Sequence, residues 1–462
     1  MVREPALYLG GEWVPGGGGD CEVENPATEQ TTGVVTQASA AEVEQAVLAA
    51  RAAAGGWAAT PVPDRAAALR RLHAVITDRA DRFAALINRE QGSPPPVARK
   101  LHVDTPLSVI ERTADALAEF PFRQQLGNSV ILREPAGVVA AITPWNLPLH
   151  QVVVKVVPAL AAGCTVVLKP AELTPLTAFE LARAVADAGF PAGVFNLVTG
   201  SGPDVGGQLV RSPQVDHVSF TGSTAVGRQV AAAAAETVKG LTLELGGKSA
   251  SVVLSDVPDE LLATAVKVTV ANCFLNGGQT CTALSRLIVP ASRLAQAEEL
   301  AAAAAARYVP GERLGPLISA GQREKVESFL APGPARPVTG RAELPARGYY
   351  VPPTVYSDVA PDSRLAQEEI FGPVLSILAA GSDEHAIELA NDSIYGLGGA
   401  LWTGDPGGAL DWAARIRTGQ VDVNGAPFNP RAPFGGYKQS GVGREIGDFG
   451  IGDVLQVKSV QL

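Results

Sequence analysis

Apolar residues recur with helical spacing near the start of the chain and in short buried runs further along. The stretches 41–55 and 64–90 carry apolar residues every three or four positions and are rich in Ala and Arg, which predicts two helices. The segment from Gly92 to Pro96 should end the second helix, because glycine and proline interrupt a helical pattern. From about residue 135, short apolar runs alternate with helical stretches, as strands and helices do.

This alternation predicts a parallel sheet. Repeated strand–helix units pack as parallel strands joined by right-handed crossovers, so the fold class is α/β. Ligands of such sheets bind at the carboxyl ends of the strands. The predicted strands are Val138–Ile142, Thr165–Leu168, Val194–Val198 and Val215–Phe220, and the predicted helices are Val152–Ala162, a stretch ending near Asp187, 203–211 and 224–235. The Pro-, Gly- and Arg-rich stretch 331–347 is expected to be a surface loop.

Composition narrows the classes of protein. A chain of 462 residues with 46% hydrophobic and 18% charged residues is long enough for two or three folded domains. The formal charge of −10 disfavours a nucleic-acid partner. We expect a cytoplasmic protein without membrane contacts, because the N-terminus lacks an apolar signal region and no stretch has the pattern of a membrane span. The scattered cysteines and histidines predict neither a disulfide framework nor a metal site.

Cys281 is the first candidate for chemistry. It follows the Gly-Gly pair at 277–278 and lies between Thr280 and Thr282. A turn that glycine permits would present the thiol to a substrate instead of packing it away. The alternative is that this cysteine is a small core residue, which is the commoner role of an isolated cysteine.

Two segments directly after predicted strands could hold a nucleotide. In the segment 220–223, Phe-Thr-Gly-Ser, backbone N–H groups at a helix start would face anionic oxygens, and Ser223 would touch a phosphate or simply cap the helix. Lys169 and Glu172 would hold the two ribose hydroxyls of an adenosine, or form a solvated ion pair. A carboxylate there would repel a 2′-phosphate, which favours NAD over NADP.

Two further segments carry groups suited to carbonyl chemistry. Glu244 is flanked by leucines and followed by two glycines, so we expect a raised pKa and a role as general base. The alternative is a carboxylate satisfied by backbone amides at a strand end. Asn146, in Pro-Trp-Asn-Leu-Pro, offers an amide N–H to a developing oxyanion, or else packs the turn.

Taken together, these segments resemble the aldehyde dehydrogenase superfamily over essentially the whole chain. Further motifs occur in the family's order, namely Asn25-Pro26-Ala27-Thr28, the segment 368–373 (Glu-Glu-Ile-Phe-Gly-Pro), and 433–445, which begins Pro-Phe-Gly-Gly and ends Gly-Arg-Glu. Several independent motifs in one order are more specific than any one of them. The resemblance implies NAD-dependent oxidation of an aldehyde to a carboxylic acid through a cysteine thioester.

The resemblance also assigns roles to individual residues. Cys281 matches the nucleophile, Glu244 the general base and Asn146 the oxyanion donor, while Lys155 and Glu445 match a proton relay. Cys273 matches no catalytic position and is assigned to packing. The implied cofactor-binding residues are Ile142, Thr143, Pro144, Trp145, Lys169, Glu172, Gly202, Phe220, Gly222, Ser223, Val226, Leu245, Glu369 and Phe371. The implied substrate-binding residues are Leu147, Val154, Thr280, Thr282, Phe428 and Phe434.

Leu147 and Val154 stand where many relatives carry an aromatic residue, so the expected tunnel is apolar and wide, suited to an apolar or aromatic aldehyde. His150, Gln151 and Arg431 would add polarity, but we expect each on a loop or helix surface. Two other functions stay open. A member without turnover would act as a binding or structural protein, and an acylating variant would pass the thioester to coenzyme A, although relatives of that kind usually lack the acid at Glu244.

By resemblance the chain divides into three parts. These are a Rossmann-like cofactor domain (1–116 and 136–246), an α/β catalytic domain (247–445) and a small β oligomerisation arm (117–135 and 446–462). Residues 455–460 alternate apolar and polar side chains, as an added edge strand would. We therefore expect a homodimer or homotetramer.

Overall fold

The computed structural model describes residues 1–330, 333, 335–339 and 342–462. Its helices are α1 Ala40–Ala58, α2 Val62–Asp78, α3 Ala80–Gln91, α4 Pro95–Arg99, α5 Thr105–Ala116, α6 Pro148–Ala162, α7 Leu176–Asp187, α8 Gly207–Arg211, α9 Thr224–Ala235, α10 Asp259–Phe274, α11 Leu294–Ala305, α12 Ala320–Leu330, α13 Arg364–Gln367, α14 Asp383–Asn391, α15 Ala409–Ala413 and α16 Gly447–Asp453. Short π-helical turns span Lys100–Asp104 and Gly202–Gly206.

Within the described residues the strands form four sheets. They are β1 Val2–Glu4, β2 Ala6–Leu9, β3 Glu12–Pro15, β4 Asp20–Asn25, β5 Gln30–Thr36, β6 Arg123–Leu126, β7 Ser129–Pro135, β8 Val138–Ile142, β9 Thr165–Lys169, β10 Phe195–Leu197, β11 His217–Thr221, β12 Gly240–Glu244, β13 Ala250–Val253, β14 Arg286–Pro290, β15 Arg336–Pro337, β16 Thr354–Ser357, β17 Val374–Ala380, β18 Gly399–Trp402, β19 Asp422–Val423, β20 Gly441–Val442 and β21 Leu455–Gln461.

The first sheet has the order β20-β12-β11-β8-β9-β10-β2-β3, and its five central strands, β12 to β10, run parallel. Their register aligns the strand ends, since Ile142 lies opposite both Lys169 and Phe220, and Thr221 lies opposite Glu244. This confirms the parallel sheet expected from the sequence. The alignment also places the carboxyl ends of four neighbouring strands side by side at one edge.

The second sheet has the order β15-β16-β17-β14-β13-β18-β19 and is parallel except for β15. Helix α10 packs against it through a cluster of buried residues that includes Leu262, Val266 and Val270. By length and hydropathy the segment Asp259–Gly278 could cross a membrane, contrary to the expectation from the sequence. Of the 18-residue apolar stretch within this segment, 56% is buried inside the protein, as in the core helix of a folded domain.

A third, three-stranded sheet joins β21 to β7 and β6. All seven residues of β21 pair with β7, so the predicted edge strand is confirmed. The predicted arm segment 446–462 also contains α16, which packs on α5 and α6 and buries Ile451 completely. Strand β20, from the segment predicted as catalytic, joins the first sheet beside β12. The division into three domains stays a prediction.

Four local predictions differ from the structure. The helix expected over 203–211 is a π-helical turn, Gly202–Gly206, followed by α8. The helix expected over 64–90 is two helices, because the backbone at Arg79 leaves the helical region (φ −105°, ψ 11°). Helix α6 begins at Pro148, four residues before the predicted start, since a proline suits the first helical turn. Within 331–347, residues 336–337 form β15 and 342–347 are largely exposed, while 331, 332, 334, 340 and 341 lie outside the described residues.

Candidate active site

Residues 275–285, which we call the Cys281 loop, are held between the two large sheets by close backbone contacts. The loop follows α10, and at Asn276 the chain enters the left-handed region with φ of 54°. Gly247, at the end of the first sheet, lies so close that a Cβ there would come within 2.3 Å of the Cys281 carbonyl oxygen. A side chain at this position would therefore push the loop away from the sheet.

The Cys281 thiol is in a setting that favours its neutral form. Burial raises its pKa to about 12, and the charges of Glu244, Glu369 and Glu445 add to that effect. Nucleophilic attack needs the thiolate, so the site must supply a proton acceptor and a positive field during reaction. Cys273 is completely buried and donates to the Val374 carbonyl, which confirms its assignment to packing.

Glu244, the last residue of β12, is 3% exposed and neither carboxylate oxygen has a hydrogen-bond partner among the described residues. This rules out the alternative in which backbone amides satisfy the carboxylate. Burial, reinforced by the charges of Glu445 and Asp453, holds the pKa of Glu244 well above its usual range, as predicted. A Cβ on Gly435 would come within 2.8 Å of Glu244 Oε1, so a larger residue there would displace the carboxylate.

Glu244 belongs to a group of ionisable side chains that we call the charged cluster: Glu244, Lys155 and Glu445, which are buried, and Asp453, which is half-buried. Lys155 Nζ donates to Glu445 Oε1 and lies 3.4 Å from Ser219 Oγ. Burial raises the pKa of Glu445 and of Asp453, against the opposing charge of Lys155. Three acids share one lysine in a desolvated space, so a proton is readily held among them.

Asn146 follows β8 and is 2% exposed. Its Nδ2 donates to the carbonyl of Gln279, two residues before Cys281, at 3.0 Å. An amide nitrogen has two hydrogens, so this bond leaves the second available to a ligand. The alternative, in which Asn146 only packs its turn, does not account for this hydrogen bond to the Cys281 loop.

Cys281 opens onto a cavity of about 250 Å³. All six predicted substrate residues line it, namely Leu147, Val154, Thr280, Thr282, Phe428 and Phe434. Glu445 also reaches its wall. The structure therefore brings together the thiol, the predicted apolar lining and one member of the charged cluster.

The cavity also contains polar groups that the sequence did not place there. His150 and Gln151 were expected on a loop or helix surface, yet both line the cavity, whereas Arg431 is exposed and does not. They face inward because the cavity-lining Val154, four residues after His150 and three after Gln151, shares their face of α6. Leu101, Thr105, Gln420, Asp422 and Ile446 come from distant segments with no local motif, so sequence reasoning missed them.

Predicted cofactor residues gather at the carboxyl edge of the first sheet. Lys169 ends β9, is 2% exposed, and donates to Glu172 Oε2 at 3.1 Å, so the pair is not fully solvated. Ser223 accepts a hydrogen bond from Val226 N at 3.3 Å, which confirms the helix cap. The other members at this edge are Ile142, Thr143, Pro144, Gly202, Phe220, Gly222 and Leu245, at or just after the ends of β8, β10, β11 and β12.

The loop before β17 brings the last two cofactor candidates to the same region. Glu369 Oε1 accepts from Gly247 N at 2.9 Å. Phe371 meets Trp145 edge-on, with ring centroids 5.4 Å apart. This loop therefore closes over the gap between the two large sheets, next to the Cys281 loop.

The comparison with protein families decides what this arrangement is. The model described as "Aldehyde dehydrogenase family" matches residues 13–460, nearly the whole chain. The chain belongs to the aldehyde dehydrogenase family. The predicted resemblance and the class of enzyme are thereby confirmed.

Individual members of the aldehyde dehydrogenase family are similar to this chain over nearly its whole length. A 3-succinoylsemialdehyde-pyridine dehydrogenase of a Pseudomonas species is 44% identical over 98% of both chains. The geranial dehydrogenase of Castellaniella defragrans is 40% identical over 99% of this chain and 98% of its own. Aldehyde dehydrogenase C of Pseudomonas syringae, solved as a cysteine-to-alanine variant with NAD+ and octanal, is 44% identical with a TM-score of 0.96, covering 99% of this chain and 96% of that one. The α/β fold class is confirmed.

Proposed function

We propose that this chain oxidises an apolar or aromatic aldehyde to the carboxylic acid, with NAD as cofactor and Cys281 as nucleophile. The observation that carries the proposal is the cavity in which Cys281 meets the six predicted substrate residues and Glu445. A thiol at the wall of a largely apolar cavity, beside buried acids, suits attack on a carbonyl carbon followed by hydrolysis.

The carboxyl edge of the first sheet fits a dinucleotide. Lys169 is buried, and its partner Glu172 has 45% of its side chain exposed, so a carboxylate is available to ribose hydroxyls. A Cβ on Gly222 would lie 2.4 Å from the Phe220 ring, so only glycine leaves the surface there open. The exposed carboxylate favours NAD over NADP. When bound, NAD supplies the acceptor for the hydride that leaves the aldehyde carbon.

The chain's own residues perform the remaining steps. The Cys281 thiol gives its proton to the charged cluster as its sulfur bonds to the aldehyde carbon, and the oxyanion that forms accepts from the free hydrogen of Asn146 Nδ2 and from the Cys281 N–H. Losing one such donor typically costs on the order of 10²–10³ in rate. After the hydride leaves, a thioester remains. Glu244 takes a proton from water as the water oxygen bonds to the acyl carbon, and the carbon–sulfur bond breaks with the sulfur leaving as the thiolate.

Lys155 and Glu445 would carry the proton from Glu244 towards solvent. They are in direct contact, and both lie in the charged cluster, where burial keeps the acids readily protonated. A proton delivered to Glu244 therefore has a second carboxylate and an ammonium group to pass through.

The substrate class rests on the character of the cavity. Leu147, Val154, Phe428 and Phe434 supply an apolar surface that would bury an alkyl chain or a ring. The relative from Pseudomonas syringae was solved with octanal, an apolar aldehyde.

The proposed assembly rests on the outer strand of the third sheet. Among the described residues no strand pairs with the outer edge of β21, and Val457 on it is 69% exposed. A second copy could pair with this edge to form a homodimer or homotetramer. Light scattering at micromolar concentration tests this, and a monodisperse monomer would end it. A cytoplasmic location stays a prediction.

The central test is NADH formation over a panel of linear, aromatic and charged aldehydes, with and without coenzyme A. We expect the highest kcat/KM for linear or aromatic aldehydes, and Cys281→Ala should abolish turnover while NAD binding, followed by fluorescence, persists. Cys273→Ala is the matched control and should stay active. A preference for charged aldehydes would overturn the substrate class, and acyl-CoA as product would favour the acylating alternative. Absence of turnover with every aldehyde would favour a binding protein.

A further inference from the structure

A second buried polar region adjoins the Cys281 loop, and it is built only from uncharged side chains. We call it the neutral network: Gln91, Ser93, His102 and Asn276, each 6% exposed or less. Ser93 Oγ lies at its centre, 2.9 Å from His102 Nε2 and 2.7 Å from Asn276 Oδ1, and it also bonds Gln91 Oε1. Buried polar groups are costly unless they are paired, and here they pair mainly with one another.

The protonation of His102 can be assigned from its contacts. Nδ1 is buried with no partner among the described residues, whereas Nε2 lies within reach of Ser93 Oγ and, at 3.3 Å, of Asn276 Oδ1. A hydrogen on Nε2 satisfies these contacts and leaves only a lone pair unpaired on Nδ1. Burial lowers the pKa of His102 to about 3, so the ring stays neutral at physiological pH. His102 is therefore a fixed donor.

Asn276 connects the neutral network to Asn146 through a hydrogen bond. The Asn276 Oδ1 accepts a hydrogen bond from the Ser93 hydroxyl, and the Asn276 Nδ2 donates to the backbone carbonyl of Asn146 at 2.8 Å. The backbone carbonyl of Gln279 accepts a hydrogen bond from Asn146 Nδ2. The Gln279 side chain is itself held in place, because its Nε2 donates to the carbonyls of Asn276 and Pro316 and its Oε1 accepts from the Ile318 N–H. Asn146 is thus held at its backbone and at its side chain by one short stretch of the Cys281 loop.

We propose that Ser93 and His102 are positioning residues, which fix Asn276 so that the free hydrogen of Asn146 points at the oxyanion formed on the carbon that Cys281 attacks. This inference rests on the proposed role of Asn146. The donor must lie within hydrogen-bond distance of the oxyanion, and its own rotamer must be held by neighbours to stay there. The neutral network supplies that support from side chains far from the substrate cavity in sequence.

The first experiment compares Ser93→Ala and His102→Gln with the unmodified enzyme. Ser93→Ala removes the central hydroxyl and should lower kcat/KM about tenfold, because an ångström of misplacement costs up to about 10² in rate. His102→Gln keeps an amide N–H near the position of Nε2 and should retain most of the activity. Dissociation constants for NAD, measured by fluorescence, should be the same in all three proteins.

The decisive measurement is a double-mutant cycle with Asn146→Ala. If Ser93 acts through Asn146, the tenfold effect of Ser93→Ala should fall to about twofold or less in the Asn146→Ala background, because the donor it positions is gone. An equal factor in both backgrounds would overturn the proposal and show a general loss of order instead. Unchanged activity of Ser93→Ala in the unmodified background would overturn it as well.

Two controls keep the result interpretable. Thr113→Val removes another buried hydroxyl, one that bonds only the Val109 carbonyl, and should leave kcat/KM unchanged. If Ser93→Ala does not fold, His102→Asn replaces it in the cycle, since it withdraws the donor from the Nε2 position. Full activity in Asn146→Ala alone would refute the proposed role of Asn146 and this inference with it, while a dead Cys281→Ala would leave the proposed reaction standing.

Discussion

The charged cluster and the neutral network both surround the Cys281 loop, and they are built from different chemical groups. In the charged cluster two carboxylates and one lysine are buried beside the half-buried Asp453, and the pKa of Glu244 and of Glu445 is raised. In the neutral network, amides, a hydroxyl and a neutral histidine make directed hydrogen bonds, and Ser93 and Asn276 lie 2.7 Å apart. Glu244, which must take a proton from water, has no hydrogen-bond partner among the described residues, whereas the groups that must hold a position are paired closely.

The physical reason lies in how each region responds to a low dielectric. Burial without a partner makes a carboxylate a stronger base, which suits a residue that has to take a proton from water. The same burial makes an amide or hydroxyl seek a partner, which fixes its direction. One apolar interior thus gives a reactive region and a rigid region, according to which side chains it encloses.

The largest expected effect comes from disabling the charged cluster. Glu244→Gln keeps the size of the side chain but removes the base, so steady-state turnover should fall by about 10²–10⁴. Sulfur attack and hydride loss do not need the base for hydrolysis, so one burst of NADH per active site should remain. Mass spectrometry of the quenched protein should show an acyl group on Cys281. A normal steady-state rate would remove Glu244 from the role.

Within the neutral network, replacing His102 by Gln should affect acid stability more than the rate. The folded pKa of His102 is about 3 and the unfolded value is near 6.5, so its contribution to stability is present above pH 6.5 and is lost as pH falls. Between pH 7 and pH 4 this amounts to about 3 kcal/mol of unfolding free energy. His102→Gln should therefore lose less stability than the unmodified protein over that range.

Urea titrations at the two pH values measure this difference. His385→Gln, at an exposed position, is the matched control and should behave as the unmodified protein does. An identical acid response in His102→Gln and the unmodified protein would show that His102 is able to ionise in the fold, and the contrast between the two regions would then fail.

The smallest effect concerns the tuning of the base. The negative charge of Asp453 contributes to the raised pKa of Glu244, so Asp453→Asn should lower it. Because the base acts when deprotonated, the acid limb of the kcat–pH profile should move to lower pH. Asp448→Asn, on the exposed side of the same helix, should leave the profile in place. A shift to higher pH in Asp453→Asn would contradict the assigned electrostatics.

Local pattern was sufficient for much of the fold. The strands from Val138 to Phe220 and the edge strand near 455–460 were predicted because alternation and apolar runs are visible within a few residues. The break at Arg79 was not, since the helical periodicity continues across it. Strand β20 was not either, because two residues carry no period and their pairing with β12 depends on distant chain.

The candidate site likewise contains residues that local motifs predicted and residues that only tertiary contacts bring to the cavity. Cys281, Glu244 and Asn146 were singled out by neighbouring glycines, leucines and prolines, and the family resemblance gave them roles. His150 and Gln151 were misplaced, since whether a helical position faces solvent or a cavity depends on what packs against that helix. Gln420 and Asp422 were missed because they reach the cavity only through the second sheet.

The sequence by itself determined the α/β class, the family and the residues that carry the proposed chemistry, because these depend on short motifs and on their order. Only the tertiary structure decided that the Glu244 carboxylate has no hydrogen-bond partner in the part of the chain that is described, that Asn146 is hydrogen-bonded to Gln279, and that Ser93 and His102 contact Asn276. Those relations join residues more than a hundred positions apart. Their energies come from desolvation and hydrogen-bond geometry, which exist only once the chain has enclosed them.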